Sequence, residues 1–162
     1  MTQTERNVLL SQTSVAETYA ALAPELIRFA SALVGPEDAQ DVLSSAVVKS
    51  LSSPGWLRVS NRRAYLYRAV LNEALTHRRR VAQRWRREGR ISAGPHWDAP
   101  NLHPEVRAAV QRLSVRQRAV IALTYWQDLT PAATAERLGI SEGAVRRHLA
   151  RARSRLREVL NA

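Results

Sequence analysis

Apolar side chains recur along this chain at the intervals of an α-helix and nowhere alternate as a strand requires, which predicts an all-α fold. Val15, Tyr19, Leu22, Leu26, Phe29 and Leu33 follow one another at steps of four, three, four, three and four. They form one stripe of a core-facing helix that ends near Gly35. Pro36, Glu37 and Asp38 then place a proline and two acids in the first turn of a second helix, where the positive end of the helix dipole favours them. Ala39, Val42, Leu43, Ala46 and Val47 carry it to about Leu51, and Ser52, Ser53, Pro54 and Gly55 break it.

A third helix is expected after Ser60 or Asn61, either of which can cap it, with Leu66, Val70, Leu71, Ala74 and Leu75 leading toward Arg87. Residues 89–104 carry two glycines, three prolines and no apolar period, the composition of a linker between two helical domains, 1–88 and 105–162. Four further helices are predicted. One covers 105–113. The next opens at the capping-box pair Ser114 and Gln117 and runs to Trp126. Another starts at Thr130 and Pro131 and stops at the turn of Leu138, Gly139 and Ile140; the last, capped by Ser141, continues to about Leu160.

Charge divides the chain as sharply as periodicity does. Residues 56–90 hold eleven basic and two acidic side chains, residues 91–162 eleven and six, and residues 1–55 only three and six. Two cationic stretches joined by a linker suit a protein that grips one nucleic acid at two places, since each neutralised phosphate releases condensed counterions. An acidic N-terminal third can face a basic protein. The absence of cysteine excludes disulfides and thiolate metal sites, and His77, His96, His103 and His148 are too scattered for a zinc set, so no metal or cofactor is expected. The N-terminal stretch lacks the apolar core of a secretory signal, and no apolar run nears the roughly 18 residues of a membrane span. A cytoplasmic protein without membrane insertion is therefore expected.

Two constellations carry the chemistry. Residues 130–156 read as a helix-turn-helix whose second helix exposes Arg146, Arg147, Arg151, Arg153 and Arg155, guanidinium forks suited to guanine edges and phosphates in a major groove. Six arginines and no acid within 146–157 argue against a merely solvated face. Farther upstream, Trp56, Tyr65, Tyr67 and Trp85 stand among Arg58, Arg62, Arg63, Arg68, Arg78, Arg79 and Arg80, rings that stack on unpaired bases beside cations that hold a backbone. Each aromatic has an equal claim to a place in the core.

The motifs LIRFA at 26–30, DAQDV at 38–42, AYLYR at 64–68, LSVRQR at 113–118 and LGISEGAVR at 138–146 follow in an order that resembles the bacterial extracytoplasmic-function (ECF) sigma factors. That resemblance covers nearly the whole chain. It implies an RNA polymerase specificity subunit with two domains, regions two and four, and with core RNA polymerase and promoter DNA as partners. It also leaves room for an anti-sigma factor that holds the chain inactive. By the resemblance, Asp38, Asp41, Val42, Ser45, Val48 and Lys49 on the second helix dock on the polymerase. Arg58, Asn61, Arg62, Tyr65, Arg68, Asn72, Arg78, Arg79 and Arg80 capture the melted minus-ten element. Ser141, Glu142, Gly143, Ala144, Arg146, Arg147, Ala150 and Arg151 meet the minus-thirty-five element as duplex. The chain departs from the family pattern at Gln40, Ser44, Ser45 and Leu51, which makes the docking helix less acidic and less bulky, and at Tyr65, Thr76 and Ala133.

Two other classes compete with this reading. A stand-alone helix-turn-helix regulator would use the C-terminal domain without polymerase. An enzyme acting on nucleic acid would need a carboxylate cluster, a metal set or a nucleophile with its base, and the sequence presents none.

Overall fold

The computed structural model describes residues 3–89 and 103–161, and among them it holds seven α-helices and no strand. Helix α1, Gln3–Val34, begins well before the apolar stripe that predicted it and runs through Pro24, which faces outward. Gly35, at φ 92, turns the chain into α2, Pro36–Leu51; only glycine adopts that conformation without steric cost. A single 3₁₀ turn, Trp56–Arg58, leads to α3, Arg62–Arg87. Of the two predicted caps Asn61 is the one used: its Oδ1 accepts the Ala64 N–H at 3.0 Å.

The remaining helices are α4, Pro104–Gln111; α5, Val115–Ile121; α6, Pro131–Leu138; and α7, Glu142–Leu160. Pro104, assigned to the linker by composition, is the first residue of α4, and linker residues 90–102 lie outside the described residues. The capping box at Ser114 and Gln117 is formed in both directions, at 3.2 and 2.9 Å. Helix α5 differs from expectation, since its α-turns stop at Ile121 and residues Ala122–Trp126 continue as a wider π-turn. Asp128 closes that turn at φ 51, a left-handed value that aspartate tolerates, and the Leu129 N–H reaches back to the Leu123 carbonyl at 3.1 Å.

Helices α1, α2 and α3 pack on one another, and α7 packs on α4, α5 and α6. These two sets also pack on each other. Helix α5 lies on α1 and α3, α6 lies on α3, and one buried apolar cluster runs from Leu22 through Phe29, Tyr67 and Val120 to Leu149. The reason is local: the short helices α5 and α6 present apolar residues on more faces than α7 alone can cover, and Val120, Leu123 and Leu138 are buried.

Candidate nucleic-acid interface

The buried stripe Val145, Leu149 and Ala152 fixes α7 against the core and turns its opposite side to solvent. Arg146, Arg147, Ala150 and Arg151 are all exposed there, and their spacing confines them to one side of a 3.6-residue turn. Ser141 Oγ caps the helix by accepting the Ala144 N–H at 3.1 Å, while Glu142 pairs with Arg146 one turn later. Gly143 is exposed and Ala144 half-buried. His148, between the arginines and the core, is held below its ordinary pKa by burial first and then by Arg116, Arg151 and Arg147. Arg153 and Arg155 are exposed as expected but already engaged: Arg153 Nε donates to Tyr125 Oη at 2.9 Å, and Arg155 Nη1 donates to the Arg112 carbonyl at 2.8 Å, closing the end of α4.

A second cationic surface lies on α3 and the 3₁₀ turn before it. Tyr65, Arg68 and Asn72 line a cleft of about 500 Å³ whose far wall is Lys49 and Ser50 of α2. Arg58, Asn61, Arg79 and Arg80 are exposed, whereas Arg62 is half-buried with its guanidinium 5.5 Å from the Trp56 ring. Of the four aromatics with an equal claim to core or surface, two resolve toward the core. Trp56 and Tyr67 are buried, and Tyr65 alone among the first three reaches the cleft, meeting Trp56 edge-on at 5.6 Å. Trp85 is half-buried near the end of α3. Arg78 is also half-buried, and its desolvation lowers its pKa.

On α2, Asp41, Val48 and Lys49 are exposed and Asp38 and Ser45 are half-buried. Val42 is a correction: at 2% exposure it packs into the core of the three-helix set and offers no surface to a partner. Its apolar spacing with Ala39, Leu43 and Ala46 already marked it as a core residue. The exposed apolar surface extends beyond the expected Val48, 64% exposed, through Leu51 to Leu57, 67% exposed, which the docking motif does not include. Polar contacts tie this helix to the neighbouring surface: Lys49 pairs with Glu73, and His77 Nε2 lies 3.1 Å from Asp38 Oδ2. Glu73, almost wholly buried, also lies 3.9 Å from Arg80.

Arg118, within the LSVRQR motif, is the largest fully buried side chain among the described residues, 2% exposed. Its guanidinium donates to the carbonyls of Val110 at 3.1 Å, Gln111 at 2.9 Å and Leu33 at 2.8 Å. Those carbonyls belong to the last turns of α4 and α1, where helical hydrogen bonding leaves oxygens without partners. Burial, and then Arg78, lower its pKa to about 10. The signal available in sequence was its place on the inward face of α5, three residues after Val115 and two before Val120. A matching contact holds Tyr67: Gln127 Nε2 donates to its hydroxyl at 2.6 Å, and Arg137 lies 4.9 Å over its ring. Desolvation raises the Tyr67 pKa, and the Gln127 bond opposes that rise.

Among the described residues no helix is long and apolar enough to cross a membrane. Residues 103–156 match the family described as sigma-70, region 4. The chain is 33% identical over 144 residues to an RNA polymerase sigma-E factor of Streptomyces coelicolor, across 85% of this chain and 80% of that protein. It is 31% identical to the sigma-E factor of Streptomyces avermitilis, across 85% and 79%. Against the ECF RNA polymerase sigma factor SigM of Mycobacterium tuberculosis the identity is 31%, across 76% and 65%. The fold is similar to that of the sigma factor RpoE of Bartonella quintana, solved with the anti-sigma factor NepR, at a TM-score of 0.68 and 22% identity over 91% of this chain and 96% of that one. CnrH, solved with the cytosolic domain of CnrY, gives a TM-score of 0.58 and 24% identity over 93% and 89%. With its arginine surfaces, its helix-turn-helix and these likenesses taken together, the chain belongs to the ECF group of RNA polymerase sigma factors.

Proposed function

We propose that this sigma factor directs core RNA polymerase to promoters by holding promoter DNA on two surfaces of different kind. The observation that carries this reading is the separation of the exposed arginines into two groups. Arg68 stands beside the aromatic-walled cleft of α3, and Arg146, Arg147 and Arg151 occupy one open face of α7. An unpaired base needs a ring to stack on and a cation for its backbone, which Tyr65 and Arg68 supply, with Asn72 as a hydrogen-bonding neighbour. Duplex DNA needs a helix narrow enough for the major groove with guanidinium forks at its front, which α7 supplies.

In this reading residues 1–88 dock on polymerase and capture the opened minus-ten strand, 89–104 link, and 105–162 read the minus-thirty-five element. Docking uses the exposed side of α2, with Asp41, Val48 and Lys49, extended by Leu51 and Leu57. Asp38 and Ser45 support it from its edge. The bond-making chemistry belongs to the polymerase, so the chain itself is not an enzyme, and it works in the cytoplasm where polymerase and DNA are. An anti-sigma protein is a fitting further partner, since the similar sigma factor RpoE was solved with the anti-sigma factor NepR.

Run-off transcription on fragmented genomic DNA tests this directly. Purified core polymerase is expected to yield discrete transcripts only when the chain is added. Promoter binding by the chain without polymerase association, and no transcripts, would instead favour a stand-alone regulator.

A further inference from the structure

Strand capture as proposed above uses a ring and cations, yet the cleft on α3 also holds a carboxylate. Glu73 is 7% exposed and lines the cleft of about 500 Å³ together with Tyr65, Arg68 and Asn72. It follows Ala69, another residue of the cleft wall, by one helical turn, which keeps it on that side of α3. Its two oxygens are engaged unequally. Oε2 accepts a hydrogen bond from Lys49 on the opposite wall, whereas Oε1 has Arg80 Nη1 near it at 3.9 Å, beyond hydrogen-bond length. Among the described residues no donor bonds to Oε1. A buried carboxylate oxygen in this position favours a ligand that brings a donor of its own.

Phosphate brings no donor and is repelled by the carboxylate, so the backbone of a captured strand belongs beside the arginines and its base edge toward Glu73. On an unpaired base that edge is free of any partner strand. Cytosine N4 and adenine N6 present an amine where thymine O4 and guanine O6 present a carbonyl. The amine can donate to Oε1; a carbonyl in its place would set two acceptors face to face. We propose that Glu73 selects the captured base, accepting a hydrogen bond from the exocyclic amine of a cytosine or adenine in the opened strand and rejecting thymine or guanine there. This inference rests on the proposed capture of that strand in the α3 cleft. Neither of the other cleft groups can make the choice. The Tyr65 ring stacks on any base, and Arg68 can donate to the acceptor that every base carries. Lys49 supports the choice by holding Oε2, which leaves Oε1 as the reading atom.

The test uses holoenzyme assembled from the full chain and core polymerase, with a fluorescent promoter fragment recovered from the run-off assay. A non-complementary template strand keeps the minus-ten element open, so that no base pair is made or lost when a base is changed. Cytosine, uracil, adenine and hypoxanthine are placed in turn at each position of the captured strand; uracil and hypoxanthine carry a carbonyl where cytosine and adenine carry the amine. At one position the amine bases should bind about tenfold more tightly than their carbonyl counterparts, read by fluorescence anisotropy. Glu73→Gln keeps the side chain's length, and its amide can turn to donate or accept, so the ratio should shrink to about twofold or less. Equal affinity for amine and carbonyl bases at every position overturns the proposal, and that measurement needs no variant. So does a Glu73→Gln chain that keeps the tenfold ratio, whatever its overall affinity, since an ion pair that only braced α2 against α3 would affect all four bases alike. Absence of transcripts in the run-off assay refutes the sigma-factor mechanism itself, and the proposal with it.

Discussion

Arg118 shows how a charge in the wrong place, by the usual sorting of residues, can be what joins a fold. Its guanidinium is met by backbone carbonyls and closes the carbonyl ends of two helices at once. Arg118→Ala removes three charge-assisted hydrogen bonds, and although Val110 keeps the Leu113 N–H, the buried Leu33 carbonyl loses its donor, so chemical denaturation should report a loss of about 3 to 5 kcal/mol. On the DNA-facing side the expectation is different in kind. Arg146→Ala with Arg147→Ala should weaken recognition of the upstream element by about 1 to 3 kcal/mol per lost base contact, with polymerase association unchanged in a pull-down. His148 adds a pH dependence. Its pKa is depressed in the folded chain, so between that value and the unfolded value near 6.5 the unfolded chain binds more protons. Stability is therefore fully present above about pH 6.5 and declines as the pH falls below it. Thermal melts from pH 7.5 to 5.5 should show that decline, and His148→Gln should flatten it.

At the scale of elements, caps and turns decide where helices begin and end. Ser114→Ala breaks one arm of the capping box at α5 and should cost about 1 kcal/mol in urea denaturation. Gly139→Ala should cost about 1 to 2 kcal/mol from its φ of 65 alone, and the Arg68 side chain must also shift to admit a Cβ. These signals were legible beforehand because they are local. Pro36, Ser114, Thr130, Gly139 and Ser141 each act within a few residues, and the helices start or stop where they stand. Less could be read where a distant neighbour decides. The π-turn after Ile121 depends on Leu129 bonding back to Leu123, and the burial of Trp56 and Tyr67 depends on what packs over them. Val42 is the reverse case, since its core-facing spacing was visible and was outweighed by its position in a docking motif.

At the scale of the molecule, the two arginine-rich surfaces were legible as charge, while their proximity was not. Nothing in the spacing of 113–138 announces that Arg118 bonds to Leu33 or Gln127 to Tyr67, because both partners become neighbours only after the two helix sets meet. The account rests on one chain holding two promoter elements at once from a fixed platform. That claim is tested most directly by measuring transcription from a promoter of this sigma factor as base pairs are inserted between the two elements. Inserting about five pairs adds roughly 17 Å and turns the upstream element by half a helical turn. The account predicts that transcripts collapse at that insertion and that the loss tracks spacing rather than sequence. Transcription that persists undiminished with the elements on opposite faces of the duplex would contradict it.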